Sequence, residues 1–290
     1  MHKLRGRVAV ITGAAGGLGR ALALELARAG MDLALADIAE AALDGVASEL
    51  RASGRRVLAV PTDVSDPRAL EQLLARTLTE LGSCHLMCNN AGVFHAAPLL
   101  EASEAEWTRV IGVNLWGVVH GCKIFGAHFA AQGEGHLLNS ASAAGLFPVP
   151  GMSSYSTSKY AVVGFSQQLR WELAPHGVGV TVLCPGVLKT QMARAAGVGL
   201  EHVDIDAMIR YAPSPTGLAK KAVRAVTRNR AMVLYGPEAH AFRLLRLLPA
   251  WLVDPFGRYM AREGLKTVRP PQPPAGARPP EHRPPAHPPA

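Results

Sequence analysis

The chain is short of cysteine, with only Cys84, Cys88, Cys122 and Cys184 among its 290 residues. None forms a CxxC pair, and no histidine stands near them at zinc-ligand spacing, which excludes a disulfide framework and a structural zinc site. Four buried thiols in a reducing cytoplasm are expected instead. None of the eleven histidines falls in a ligand pattern, so no metal is expected. Long hydrophobic runs are also missing. The longest charge-free apolar stretch near mid-chain, Val110 to Cys122, falls short of the roughly 18 to 20 residues needed to span a bilayer. The N-terminus is basic (His2, Lys3, Arg5, Arg7) and then apolar, but Val8 to Ile11 ends at once in a glycine-rich turn. That reads as a first strand rather than a leader. A hydrophobic content of 49% rules out global disorder and supplies a core. There is no internal repeat. The expectation is a soluble chain, at most peripherally membrane-associated.

Acidic residues are scarce only toward the C-terminus. Residues 1 to 209 hold 16 Lys and Arg against 18 Asp and Glu, residues 210 to 268 hold 11 against 3, and residues 269 to 290 hold 3 against 1. The basic excess is therefore wholly C-terminal, which implies a solvated basic face, an acidic partner or an anionic membrane surface. Residues 269 to 290 carry ten of the 22 prolines and no aromatic or β-branched residue. They cannot build a core and are expected to be a disordered, polyproline-like tail. With three arginines and nothing to stack on a base, that tail gives no reason to expect a nucleic-acid partner.

What is present is an alternation of strands and helices. The patterning predicts strands over Arg7 to Thr12, Asp32 to Asp37, Arg56 to Pro61, His85 to Asn89, His136 to Ser140, Val178 to Cys184 and Met232 to Tyr235. Helices are predicted over Leu18 to Ala29, Glu40 to Ala52, Pro67 to Leu81, within Glu104 to Ala131, over Ser156 to Ala174 and near Thr216 to Arg228. Repeated strand–helix–strand units imply an α/β fold with a doubly wound parallel sheet covered on both faces, and ligands beyond the carboxyl ends of its strands. Gly186 to about Tyr211 is irregular, as a substrate lid would be.

Three local patterns carry chemistry. Thr12 to Gly19, TGAAGGLG, lies between the first strand and first helix, where glycines let the backbone approach a pyrophosphate and free N–H groups favour its charge. Asp37 ends the second strand, where a carboxylate can accept from an adenosine ribose and repel a 2′-phosphate; a plain turn-starting aspartate is the alternative. Tyr155 and Lys159 stand four apart on one helix face, and a neighbouring ammonium favours phenolate. Each of these patterns is weak alone.

In this order the residues resemble the short-chain dehydrogenase/reductase family over roughly residues 4 to 236. Thr12 to Gly19 matches its TGxxxGxG turn, Asn89-Asn90-Ala91-Gly92 its NNAG segment and Tyr155 to Lys159 its YxxxK motif. Asp63, Asn114, Ser142 thirteen residues before the tyrosine, and Pro185-Gly186 with Thr190 beyond also match. The resemblance implies a Rossmann-type fold and four catalytic residues. Tyr155 would exchange the proton with the substrate oxygen and Ser142 would hydrogen-bond that oxygen. Lys159 would hold the nicotinamide ribose and depress the tyrosine pKa, and Asn114 would support a relay water. It further implies cofactor contacts from Gly13, Gly17, Leu18, Gly19, Asp37, Asp63, Val64, Asn90, Ala91, Gly92, Tyr155, Lys159, Pro185, Gly186, Val187 and Thr190. Ser140, Ser153, Ser154, Ser156 and Ser158 also surround the tyrosine; spacing favours Ser142. Gly16 and Ile38 stand where NADP-preferring relatives carry a basic residue, so NAD is expected over NADP.

The expected reaction is NAD-dependent interconversion of a secondary alcohol and a ketone. A catalytically silent dinucleotide-sensing regulator is the alternative. Ala143, Leu146, Phe147, Val149, Met152 and the segment Met192 to Met208 are expected around a hydrophobic substrate. A homodimer or homotetramer follows from the resemblance alone. The expected divisions are a dinucleotide-binding domain over 1–236, an amphipathic helical extension over 237–268 and the tail. Within Glu238 to Met260, Phe242, Leu245, Leu248 and Leu252 form a stripe that either closes the substrate pocket, packs on another subunit or lies on a membrane. Pro249 and Pro255 are expected to kink or divide it.

Overall fold

The computed structural model describes residues 3–190 and 210–265. The predicted contribution of Met192 to Met208 and the predicted tail both lie outside the described residues.

Seven strands form one parallel sheet: Val8–Thr12 (β1), Asp32–Asp37 (β2), Val57–Pro61 (β3), Leu86–Asn89 (β4), Gly135–Ser140 (β5), Val178–Pro185 (β6) and Met232–Tyr235 (β7). Their order is β3-β2-β1-β4-β5-β6-β7, a Rossmann-type sheet. Strands β1, β5 and β6 are buried along their whole length, as a sheet covered on both faces requires. Gly17–Arg28 (α1) and Glu40–Ala52 (α2) cover one face, joined there by Pro215–Thr227 (α7). The other face lies under Pro67–Leu81 (α3), the long helix Glu104–Ile111 (α4) and Gly117–Gln132 (α5), and Ser153–Leu173 (α6). Two further helices, Pro237–Leu245 (α8) and Ala250–Leu265 (α9), follow the last strand.

Local chemistry sets the boundaries. Asp66 caps α3 through Arg68 N–H with Pro67 in the first turn, and Gly82 at φ 84° ends it. Ser103 and Glu106 form a capping box on α4. Between α4 and α5 one π-turn, Gly112–Trp116, widens the helix at Asn114. The continuous stretch Glu104–Gln132 is long and apolar enough to cross a membrane by length and composition, but 44% of that window is buried inside the protein. It is a core helix. Pro249 separates α8 from α9 as expected, whereas α9 runs on through Pro255. An exposed proline in the second turn removes one hydrogen bond from a carbonyl that water can reach, so the helix survives it.

Polar groups inside the sheet are paired. Asn89 Nδ2 donates to Asn139 Oδ1 at 2.9 Å, and Asn139 Nδ2 donates to Ser166 Oγ at 3.0 Å. This network sits against Gly121, where any side chain would strike Asn89. His136 on β5 is different. Its Nε2 lies 2.8 Å from Thr181 Oγ1, and that hydroxyl already donates to the Arg230 carbonyl. Nε2 must therefore be the donor. Nδ1 has no hydrogen-bond partner and stands where a side chain at Gly179 would lie. Burial accordingly pushes the His136 pKa down to about 3.

An acid-stability prediction follows. Below pH 6.5 the unfolded imidazole binds a proton that the folded one refuses until about pH 3, so stability falls as pH drops through that window. His136→Gln keeps a donor near Nε2 and removes the titration. In urea unfolding at pH 7 and pH 5, the wild type should lose more stability on acidification than the variant; equal losses would overturn this assignment.

Candidate active site

The sheet order reverses between β1 and β4, and a cleft of about 490 Å³ opens beyond the carboxyl ends of the strands there. Parallel pairing of Ile11 with Cys88 brings the ends of β1 and β4 level. Thr12 then ties them: its Oγ1 accepts from the N–H groups of Asn90 and Ala91, both at 3.0 Å, and donates to the Cys88 carbonyl at 3.3 Å. Asn90 Nδ2 returns the contact, donating to the carbonyls of Thr12 and Gly13 at 3.0 and 3.3 Å. The glycine turn is thereby held against the 90–92 segment. Gly13 has φ 66°, and a β-carbon there would lie 2.8 Å from Ala91 Cα. On the far side of the turn, the Asp37 carboxylate accepts from Ala15 N–H and Ala39 N–H, both at 3.0 Å.

Gly13, Gly17, Leu18, Asp37, Asn90, Gly92, Ser142, Tyr155, Lys159, Pro185, Gly186, Val187 and Thr190 all line this one cleft. Five other expected residues do not reach its wall. Gly19 packs against the Gly13 carbonyl, which any side chain would strike, and Ala91 serves the Thr12 bridge. Asp63 turns back on its own loop, accepting from Ser65 N–H and Ser65 Oγ at 2.9 and 2.7 Å, and Val64 is buried against Gly117. Asn114, fully buried in the π-turn, accepts from Val93 N–H at 2.8 Å and donates to the Val93 carbonyl and to Ser158 Oγ. It fixes the backbone behind Gly92.

Tyr155 and Lys159 share a face of α6, which begins at Ser153, three residues before the predicted start. Lys159 is buried, and its Nζ donates to the Ser140 carbonyl at 3.0 Å while standing 5.7 Å from the Tyr155 ring centroid. Desolvation lowers its pKa to about 8. The expected depression of the tyrosine by Lys159 is not what the geometry produces. Burial raises Tyr155 above its ordinary value, and only its hydrogen bond with Ser142 acts the other way. The reason is position: the ammonium points at a backbone carbonyl and is itself disfavoured by burial. Tyr155 therefore stands as a protonated phenol beside Ser142, which also accepts from Ala144 N–H at 3.2 Å.

The opposite wall is apolar: Val93, Phe94, Val149, Met152 and Phe242, with the Phe94 ring 4.8 Å from that of Tyr155. Of the expected substrate residues, Ala143, Val149 and Met152 line the cleft, whereas Leu146 and Phe147 are buried behind it. Phe147 supports Phe242, with ring centroids 5.2 Å apart. The sequence reading missed Phe94 and Glu238, both on the cleft wall. Glu238 lies past the last strand in a segment with no recognisable motif, and only its place one helical turn before Phe242 could have pointed to it.

A family model for short chain dehydrogenases matches residues 7–199. The oxidoreductase EphD of Mycobacterium tuberculosis is 37% identical over 252 residues, 82% of this chain. The chain spans 43% of the length of that protein. The 1-deoxy-11-beta-hydroxypentalenate dehydrogenase of Streptomyces exfoliatus is 38% identical over 197 residues, 67% of this chain and 71% of that one. Among solved structures, a short chain dehydrogenase/reductase from Burkholderia phymatum in complex with NAD is 33% identical and superposes with a TM-score of 0.76 over 94% of this chain and 99% of that one. The chain belongs to the short-chain dehydrogenase/reductase family.

Thr12→Val tests the bridge under the site. It leaves two amide N–H groups without their acceptor, so roughly 1–3 kcal/mol of unfolding free energy should be lost. NADH affinity, read by fluorescence titration, should fall with it; an unchanged unfolding midpoint would show that the two loops are held by other contacts.

Proposed function

We propose that the chain is an NAD-dependent oxidoreductase that interconverts a secondary alcohol and a ketone on an apolar substrate, in the cytoplasm and as a homodimer or homotetramer. The observation that carries this reading is the convergence of Ser142, Tyr155 and Lys159 in the cleft that also holds the glycine turn and Asp37. The residues fit a dinucleotide. Gly13 and Gly17 adopt positive φ, Gly16 has open space where a side chain would stand, and the Asp37 oxygens retain lone pairs beyond the two amides they accept. Gly13, Gly17 and Leu18 would hold the pyrophosphate at the start of α1, Asp37 the adenosine ribose, Lys159 the nicotinamide ribose, and Val187 with Thr190 the carboxamide. The apolar wall supports the substrate class, and family membership supports the oligomer. No catalytic position is lost, so nothing favours a silent dinucleotide sensor.

When bound, the nicotinamide supplies the hydride acceptor or donor. The protein's part is the proton. In ketone reduction the neutral Tyr155 hydroxyl protonates the substrate oxygen, while Ser142 donates a hydrogen bond to that oxygen as charge develops. In alcohol oxidation the proton passes the other way, from the substrate hydroxyl to Tyr155, which must first have released its own. Asn114 keeps the Val93 backbone in place and would support a relay water behind Lys159. Residues 1–236 would thus bind cofactor and perform chemistry, with 237–268 as a helical extension.

Tyr155→Phe should abolish most turnover of apolar secondary alcohols while leaving NAD affinity nearly intact, because only the exchanging proton is removed. In the same assays NAD should bind more tightly than NADP, and Asp37→Ser should narrow the gap. Near-normal turnover of the phenylalanine variant, or NADP binding equal to NAD, would sink the corresponding part of this reading.

A second reading concerns the surface of α8 and α9. Trp251, Leu252, Phe256, Tyr259 and Met260 are exposed, Trp251 to 72%, whereas Val253, Gly257 and Ala261 on the other side are partly buried. At 100° per residue the exposed set spans one continuous half of α9, with Arg258 at its border and Arg262 within it beside Trp251. We propose that this half lies on an anionic membrane, its arginines reaching the headgroups. The full-length protein should float with anionic vesicles at low salt and be released by high salt, and replacing both Trp251 and Tyr259 with glutamate should stop this without changing turnover of a soluble substrate. Failure to float at low salt would refute the contact.

A further inference from the structure

Glu238 is the acidic residue at the Ser142 end of the cleft, as Asp37 is at the glycine-turn end. Its position follows from a chain of contacts. Ser142 Oγ lies 3.5 Å from the Pro185 carbonyl, Gly186 N–H donates to the Tyr235 carbonyl at 2.7 Å, and the Glu238 carboxylate presses on Gly186 itself. One turn further along α8, Phe242 reaches the same cleft and packs on Phe147, close after Ser142. Glu238 and Phe242 thus form one wall, four residues apart on one helix face.

One carboxylate oxygen, Oε2, is seated in a notch while Glu238 itself lines the cleft. A side chain at Gly186 would collide with Oε2, and a β-carbon at Gly236, which has φ 92°, would lie 2.9 Å from it. Two adjacent backbones without side chains make room for this one oxygen. Oε2 is buried and has no hydrogen-bond partner, and no lysine or arginine among the described residues forms an ion pair with it. The cation lining the cleft, Lys159, donates to the Ser140 carbonyl instead. A buried acceptor without a protein donor is costly, so a donor supplied from outside the protein would stabilise it.

We infer that Glu238 is a specificity-determining residue: its carboxylate accepts a hydrogen bond from a second O–H or N–H group on the substrate, beyond the oxygen that faces Ser142 and Tyr155. The preferred substrate is then an amphipathic alcohol, with an apolar body against Phe94, Val149, Met152 and Phe242 and one further donor toward α8. This rests on the oxidoreductase reading and narrows it. The same carboxylate could instead receive the donor from the carboxamide of the nicotinamide, and the experiment separates the two sources.

The test uses the full-length protein with paired monohydric and dihydric secondary alcohols on octane and decalin skeletons. Binding to the NAD complex is read by thermal shift, turnover by NADH absorbance, and NADH affinity by fluorescence titration. The wild type should favour at least one diol over its monohydric partner by about tenfold or more, in binding and in kcat/KM, because a site built around a buried acceptor rejects ligands that leave it unpaired. Glu238→Leu should erase or reverse that preference while NADH affinity stays within about twofold, as expected for a residue that contacts substrate alone. Glu238→Gln keeps the shape and a carbonyl acceptor but loses the charge, so it should weaken the preference severalfold; it decides the matter if the leucine variant does not fold. An unchanged diol preference in both variants overturns the inference. So does loss of NADH affinity with the preference intact, which would assign the donor to the nicotinamide carboxamide. Diol-selective binding that depends on Glu238 without turnover of any alcohol would uphold the inference and refute the oxidoreductase reading.

Discussion

The site depends on one side-chain hydroxyl. Thr12 Oγ1 accepts two amide N–H groups from the segment after β4 and donates to the Cys88 carbonyl, so the strands that flank the reversal in sheet order end at a fixed relative height. The glycine turn starts from Thr12, Gly92 follows the two amides it binds, and Asn114 holds Val93 one residue later from the π-turn. A valine of the same shape could not do this, because the task is to satisfy three backbone groups at a place where the sheet has stopped doing so.

Much of the architecture was legible because its causes are local. Strand–helix alternation, the Asp66-Pro67 start of α3 and the Gly82 stop are read from neighbouring residues, and so were nearly all element positions. Tyr155 and Lys159 were legible for the same reason, since four residues on a helix define a shared face. Their electrostatics were not. Proximity in sequence suggests that the ammonium acidifies the phenol, but the balance is set by burial of both groups and by the Ser140 carbonyl, which arrives from a different strand. Glu238 was illegible as a site residue because its place depends on how α8 folds back over Ser142, whereas Phe242 already stood on a stripe for which closing the pocket was one expectation. The continuity of α9 through Pro255 depends likewise on solvent exposure, which a pattern of prolines does not reveal.

Desolvation acts at three positions with three outcomes. At His136 burial keeps the ring neutral down to about pH 3. At Lys159 it lowers the pKa to about 8, so the ammonium is held less firmly than on a surface lysine. At Tyr155 it keeps the proton on the phenol, the state a general acid needs. One physical effect thus separates a structural group from two proposed to serve the reaction, according to what each can hydrogen-bond.

The break at Pro249 and the fold-back of α8 divide the labour of the cleft along the chain. The groups proposed to handle the proton come from α6 and the segment after β5, whereas one wall of the cavity comes from an element added after the last strand. Substitutions in α8 can therefore reshape what the cavity accepts without disturbing Thr12, Asn114 or Lys159. Such a division leaves the chemistry inherited and the choice of molecule free to drift: descendants of this chain could diverge in diet while conserving their engine.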